Sequence, residues 1–179
     1  MKCKLCKVSF KAKFFNQKHC MESEACIKAE IELKKAAKWK KEKKEIKESL
    51  RSKKDYIKIL QILFNKFIRL RDANLPCISC GRKNVEEFHA GHYIASTYQV
   101  HRFNEFNVHK QCSFCNTHLR GNLIEYRANL IAKIGIEKVE QLEQTKHNKF
   151  DLTISDLKEL ITEYKLKLKT YGTNNDKSN

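Results

Sequence analysis

Apolar residues in DYIKILQILFNKFIRLRD recur at helical spacing, with Ile57, Leu60, Leu63, Phe64, Phe67, Ile68 and Leu70 sharing one face. Ile59 and Ile62 widen that stripe, so the pattern predicts a largely buried helix over 55–72. Ser52 and Asp55 form a capping-box pattern at its start, and Pro76, the only proline, ends it by disfavouring helix at the residue before. Residues 27–54 lack Gly and Pro and are dominated by Lys, Glu and Ala, which predicts another helix. Between Lys34 and Glu45, however, only Ala36, Ala37 and Trp39 are apolar, too few for a heptad seam, so this helix is expected to be solvated. Residues 81–111 break into short runs, EEFHAGHYI and NEFNVHKQC, read as two strands. Helical spacing returns with Leu119, Leu123, Tyr126, Leu130 and Ile134, predicting a helix over 116–134. IEKVEQLEQ reads as a short helix and TISDLKELITEYKLKLKTY as a longer one opened by a Thr153/Asp156 capping box, while GTNNDKSN is expected to be disordered. The fold class predicted is α+β, mainly helical.

Charge narrows the partner. Lys and Arg outnumber Asp and Glu by 37 to 21, a formal +16, and twelve basic against five acidic residues fall within 27–54. Such an excess predicts a polyanionic partner, most simply nucleic acid. No apolar run has the length of a membrane span, and the N-terminus MKCKLCKVSFKAKFF lacks the layout of a secretory leader, so a soluble cytoplasmic protein is expected. In a reducing compartment eight cysteines are expected to ligate zinc rather than to pair as disulfides. Two four-thiolate zinc sites would lower the charge to about +12, still strongly basic.

Cys77-x2-Cys80, thirty-one intervening residues and Cys112-x2-Cys115 supply four thiolates for one tetrahedral ion. With every position filled by protein, such a zinc is structural. Cys3-x2-Cys6, a thirteen-residue gap, then Cys20 and Cys26 form a less regular second set, in which His19 is an alternative to Cys20 and reduced structural cysteines are the bland reading. The chain thus divides into an N-terminal zinc module (1–26), a basic helical arm (27–54), a zinc-clamped core (55–135), C-terminal helices (136–171) and a tail (172–179).

Between the two knuckles, CISCGR, HAGHYIAS and NVHKQCSFCN resemble the HNH, or ββα-metal, nucleases. Joined to NKFIRLRDANLPCISCGR, QCSFCNTHLRGN and the amino-terminal CKLCKVSFKAKFFNQKHC, they are similar over residues 1 to about 135 to the lambdoid-phage NinG (Rap) family of recombination endonucleases. The resemblance implies that His92 is the general base, that Asn116 ligates a catalytic Mg²⁺ or Mn²⁺, and that Asn107, nine residues before Asn116, ties the loop aiming His92. One position departs: many HNH enzymes carry an Asp or His ligand immediately before the base, and here it is Gly91. His89 is the candidate replacement ligand, but along a strand it faces away from His92 unless the backbone bends at Ala90–Gly91; Glu87 or water are substitutes. His101, His109 and His118 are left as surface or supporting groups, His118 being a weak candidate beside Asn116.

The family likeness implies a phage-encoded, metal-dependent endonuclease that cuts branched double-stranded DNA such as Holliday junctions and D-loops. Symmetric cutting calls for a homodimer, with the 55–72 helix as one route, and a recombination protein is a further expected partner. The alternatives are a non-catalytic zinc protein that binds nucleic acid and a sequence-specific restriction or homing enzyme.

Overall fold

The computed structural model describes residues 1–175, with side chains to residue 171. It divides into two compact units, Met1–Arg51 and Ser52–Asn179. Among the described residues no helix is long and apolar enough to cross a membrane.

In the first unit the chain up to residue 22 is mostly irregular and is held by local bonds. Lys2 pairs with Ser9, the Cys3 N–H donates to the Val8 carbonyl at 2.9 Å, and the buried Gln17 side chain accepts from the Lys13 N–H at 2.7 Å. Helix α1 spans Glu24–Ser49, with Ser23 Oγ accepting the Cys26 N–H at its start. It begins three residues before the predicted point because Ser23 caps it, which places Cys26 in the first turn. Only Cys26 and Glu30 are buried along α1, as its polar pattern predicts.

The second unit opens with α2 (Lys53–Arg71), whose Ser52/Asp55 capping box is complete. Its stripe of Tyr56, Leu60, Phe64, Phe67 and Ile68 packs against Leu157, Ile161 and Tyr164 of α5 (Ile154–Asn175) and against Val108. The apolar face offered above as a route to a dimer is therefore taken by α5, leaving Ile62 as the large exposed apolar residue of α2. Strands β1 (Phe88–His92) and β2 (Val108–Cys112) form an antiparallel pair in unbroken register, from Phe88 opposite Cys112 to His92 opposite Val108. A second core joins Ile94 to Tyr126 and Leu130 of α3 (Leu123–Ile134) and to Val139 and Leu142 of α4 (Ile136–Thr145). The ribbon lies between the two cores: Ala90 and Val108 face the first, and Tyr126 Oη donates to the Gly91 carbonyl from the second.

Three expectations are corrected here. There is no bend at Ala90–Gly91, since the pairing continues through both residues. The helix predicted over 116–134 is broken. One widened turn, Phe114–His118, closes with the Leu119 N–H on the Phe114 carbonyl at 3.0 Å, and Arg120, Gly121 and Asn122 then take positive φ before α3 begins. The break turns the Gly121 carbonyl toward Ser79 and Gln111 and brings Asn122 Nδ2 to Cys115 Sγ, contacts that apolar periodicity does not encode. Finally, α5 runs through residues 172–175 of the expected disordered tail; 176–179 lie outside the described residues.

Candidate functional site

Each unit gathers one four-cysteine cluster, Cys3, Cys6, Cys20 and Cys26 in the first and Cys77, Cys80, Cys112 and Cys115 in the second, with the sulfurs of each set within 4.8 Å of one another. All eight thiols are free. Sulfur separations of 3.8 Å for Cys3–Cys26, 3.5 Å for Cys6–Cys20 and 3.8 Å for Cys80–Cys112 match a tetrahedron of Zn–S bonds near 2.3 Å, whose edge is about 3.8 Å. The residues therefore fit two zinc ions. The Cys112 N–H points at Cys77 Sγ (3.3 Å) and the Cys115 N–H at Cys112 Sγ (3.4 Å), as thiolate ligands require of their surroundings. His19 does not replace Cys20: its Nδ1 is 2.9 Å from Glu30 Oε2, a carboxylate that also accepts the His19 and Lys18 N–H groups. Glu30 thus ties the cysteine loop to α1.

At the far end of the ribbon from the Cys112 cluster, His92 closes β1. Its Nε2 donates to the Arg102 carbonyl at 3.0 Å, which in a neutral ring leaves Nδ1 as the acceptor nitrogen. Burial pushes the imidazole below its usual value, against the opposing pull of the Arg102 carbonyl, so the ring is neutral near pH 7. Asn107 is fully buried and holds the connecting loop at three points: its Oδ1 accepts the Ile94 N–H (2.7 Å) and its Nδ2 donates to the carbonyls of Ile94 (2.9 Å) and His101 (3.0 Å). Since His101 precedes Arg102, this amide fixes the carbonyl on which His92 rests.

His92 and Asn116 line one open groove of about 450 Å³ together with Gln61, Asn65, Arg102 and Arg120. Arg102 is steadied by donating Nε to Gln61 Oε1 at 2.8 Å. His89 lies on the opposite face of β1 and is not part of the groove lining, but its Nδ1 meets the Asn116 side-chain amide at 3.0 Å. Glu87 Oε1 stands 3.3 Å from His89 Nε2, so Glu87 orients the ring from behind. Turned over, the Asn116 amide would present its oxygen beside His89 Nδ1. Two donors about 3 Å apart suit neighbouring vertices around an octahedral ion with bonds of about 2.1 Å. His89 and Asn116 are thus compatible with one divalent cation.

Residues 1–174 match the family model described as Bacteriophage Lambda NinG protein. The chain belongs to the NinG family. It is 46% identical over 123 residues to "Protein ninG" of Escherichia phage lambda, a match covering 68% of this chain and 59% of that protein. It is also 38% identical over 186 residues to "Protein ninG" of Escherichia phage 933W, covering 94% and 92%, and 44% identical over 123 residues to that of Salmonella phage P22, covering 68% and 60%. The chain thus matches less than two thirds of the lambda and P22 proteins and most of the 933W protein. No solved structure matches it.

In this NinG chain, two participants escape sequence reasoning. Asp72, the acid of the LRD motif, is almost completely buried; burial alone would raise its carboxyl, but His109, Arg71 and the Lys110 N–H (3.0 Å) hold it well below the usual range. Arg71 Nη2 also donates to the Val108 carbonyl at 2.9 Å, so the pair braces β2 from α2. Gln111, opposite His89, packs its side chain over Gly91: a Cβ at Gly91 would lie 2.8 Å from Gln111 Cβ and closer still to Oε1. That occupancy explains why the residue before His92 carries no side chain. Neither has a signal beyond its place inside a familiar motif. His101 and His109 are buried supports, bonded to Thr145 and Phe106, while His118 is exposed and stacks beside Phe114.

Proposed function

We propose that the second unit is a metal-dependent HNH-type endodeoxyribonuclease acting on branched recombination intermediates such as Holliday junctions and D-loops. One observation carries the reading: His92, held by the Arg102 carbonyl through Nε2 and kept neutral by burial, lines a groove shared with Asn116 and two arginines. His92 Nδ1 takes a proton from water, the water oxygen bonds to the phosphorus of a DNA phosphodiester, and the bond from phosphorus to a bridging oxygen breaks, that oxygen leaving with the electron pair and taking a proton from solvent water. Positioned proton transfer of this kind contributes about 100-fold to 10,000-fold. Arg102 and Arg120 offset the charge of the scissile phosphate. His89 and Asn116 would hold the divalent ion, which supplies Lewis-acid stabilisation of charge on the phosphate. The imidazole nitrogen in that pair suits Mn²⁺ better than Mg²⁺. The branched substrate class rests on the family likeness, and the formal +16 supports a polyanion.

A second reading, a zinc protein that binds nucleic acid without cutting it, is favoured by one feature: among the described residues no carboxylate lines the groove. The two are separated by cleavage of end-labelled Holliday junction, D-loop and linear duplex with wild-type and His92→Ala protein, with Mg²⁺, with Mn²⁺ and with neither. Metal-dependent cutting near the branch, lost in the variant while DNA binding persists, supports the nuclease. Tight binding without cutting under any condition supports the binder.

A further inference from the structure

The first unit holds two large aromatic side chains that are mostly exposed. Trp39, the only tryptophan, lies 62% exposed on α1, and Phe15 stands 92% exposed on the cysteine-rich loop. The neighbouring Phe14 differs, because Lys34 Nζ sits 3.6 Å above its ring. Lys35, Lys38, Lys40 and Lys43 lie within about one helical turn of Trp39. Along the same helix Lys28, Lys35, Lys38 and Lys41 pair with glutamates, whereas Lys40, Lys43, Lys44 and Lys47 have no carboxylate partner among the described residues. A second copy of α1 is a poor occupant: exposed Ile31 and Ile46 lie about two turns either side of Trp39, the stretch between Lys34 and Glu45 has only Ala36 and Ala37 as further apolar residues, and two such lysine-rich helices would repel. The face calls for a partner that presents flat π surfaces and regularly spaced negative charge together. Unpaired nucleobases on a phosphate backbone do so, whereas a duplex hides its base faces.

We infer that the first unit is a binding surface for unpaired DNA, in which Trp39 and Phe15 stack on exposed bases while the unpaired lysines of α1 contact phosphates. The inference rests on the nucleic-acid half of the proposed function and not on catalysis.

The single tryptophan makes the test direct. The full-length, zinc-loaded chain is titrated, without added Mg²⁺ or Mn²⁺, with an oligothymidylate and with a blunt duplex of equal length, following tryptophan emission alongside the anisotropy of labelled DNA. The oligothymidylate is expected to quench emission as it binds, and the duplex to bind with little quenching. Trp39→Ala should weaken oligothymidylate binding about 5-fold to 150-fold with duplex binding little changed, and Trp39→Phe should retain most of the affinity. Equal quenching by duplex, or wild-type oligothymidylate affinity in both Trp39→Ala and Phe15→Ala, would overturn the inference. Quenching needs no cleavage, so failure of the nuclease reading leaves this result standing, and cutting without quenching sinks only the unpaired-DNA surface.

Discussion

The side chain of Asn107 takes both backbone groups of Ile94, accepting its N–H at 2.7 Å and donating to its carbonyl at 2.9 Å. With the third bond to His101, one buried amide replaces the sheet pairing that the loop after β1 lacks. Asn107→Ala removes all three bonds and leaves buried groups unpaired, so a loss of about 2–4 kcal/mol of stability is expected in thermal or urea melts. Asn107→Asp can still accept from Ile94 but cannot donate to the two carbonyls. It is expected to cost cleavage more than it costs DNA affinity, and equal losses in both would argue against a role in aiming His92.

The pH dependence follows from His92. Its folded value lies below the usual imidazole value of about 6.5, so cleavage is expected to be flat around pH 7 and to fall on the acid side as Nδ1 is protonated. Burial lowers His101 and His109 in the same direction. For all three, the unfolded chain takes up protons first, so their stabilising contribution is present above about pH 6.5 and is lost as pH falls through the folded values. Rate and melting temperature measured over the same pH series separate the two effects: the rate loss should include a component that His92→Ala abolishes, and the melting loss should largely survive in that variant.

Zinc analysis should return two ions per chain. Cys112→Ser is expected to return one and to unfold the second unit, because metal binding in small zinc sites contributes about 10–16 kcal/mol to folding. An unchanged melt with one zinc lost would show that the cluster is dispensable to this fold.

Gly91 is expected to refuse any side chain while Gln111 is present. Gly91→Ala should cost about 1–3 kcal/mol through overpacking, and the cost should shrink in a Gln111→Ser background, a coupling read from a double-mutant cycle of melts. Equal costs in both backgrounds would locate the strain elsewhere.

Much of this was legible from residue order alone. The stripe in α2, the two capping boxes and the paired CxxC spacing of Cys77, Cys80, Cys112 and Cys115 needed only local rules, and each is present where those rules place it. What escaped depended on contacts between distant segments. The break before α3 answers the sulfur of Cys115 and the side chains of Ser79 and Gln111, none of which affects helical spacing. Likewise, Gly91 suggested a bend when read alone, but it sits in a straight ladder because Gln111 occupies the space above it. The burial of Asp72 followed from His109, Arg71 and Lys110 converging on one carboxylate, which no window around the LRD motif displays.

The ladder between Cys112 and His92 has a final consequence. Five residue pairs, and so four steps, run from the metal-clamped end to the groove end, roughly 14 Å of ribbon. Successive side chains on a strand alternate faces, so a slip of one residue would present bare Gly91 to the groove and turn the imidazole of His92 toward α3. The backbone hydrogen bonds of so short a ribbon tolerate such a shift, whereas a thiolate tetrahedron that includes Cys112 does not. With zinc bound, the cluster that includes Cys112 would thus act as a phase lock, holding from a distance which side of the ribbon His92 occupies.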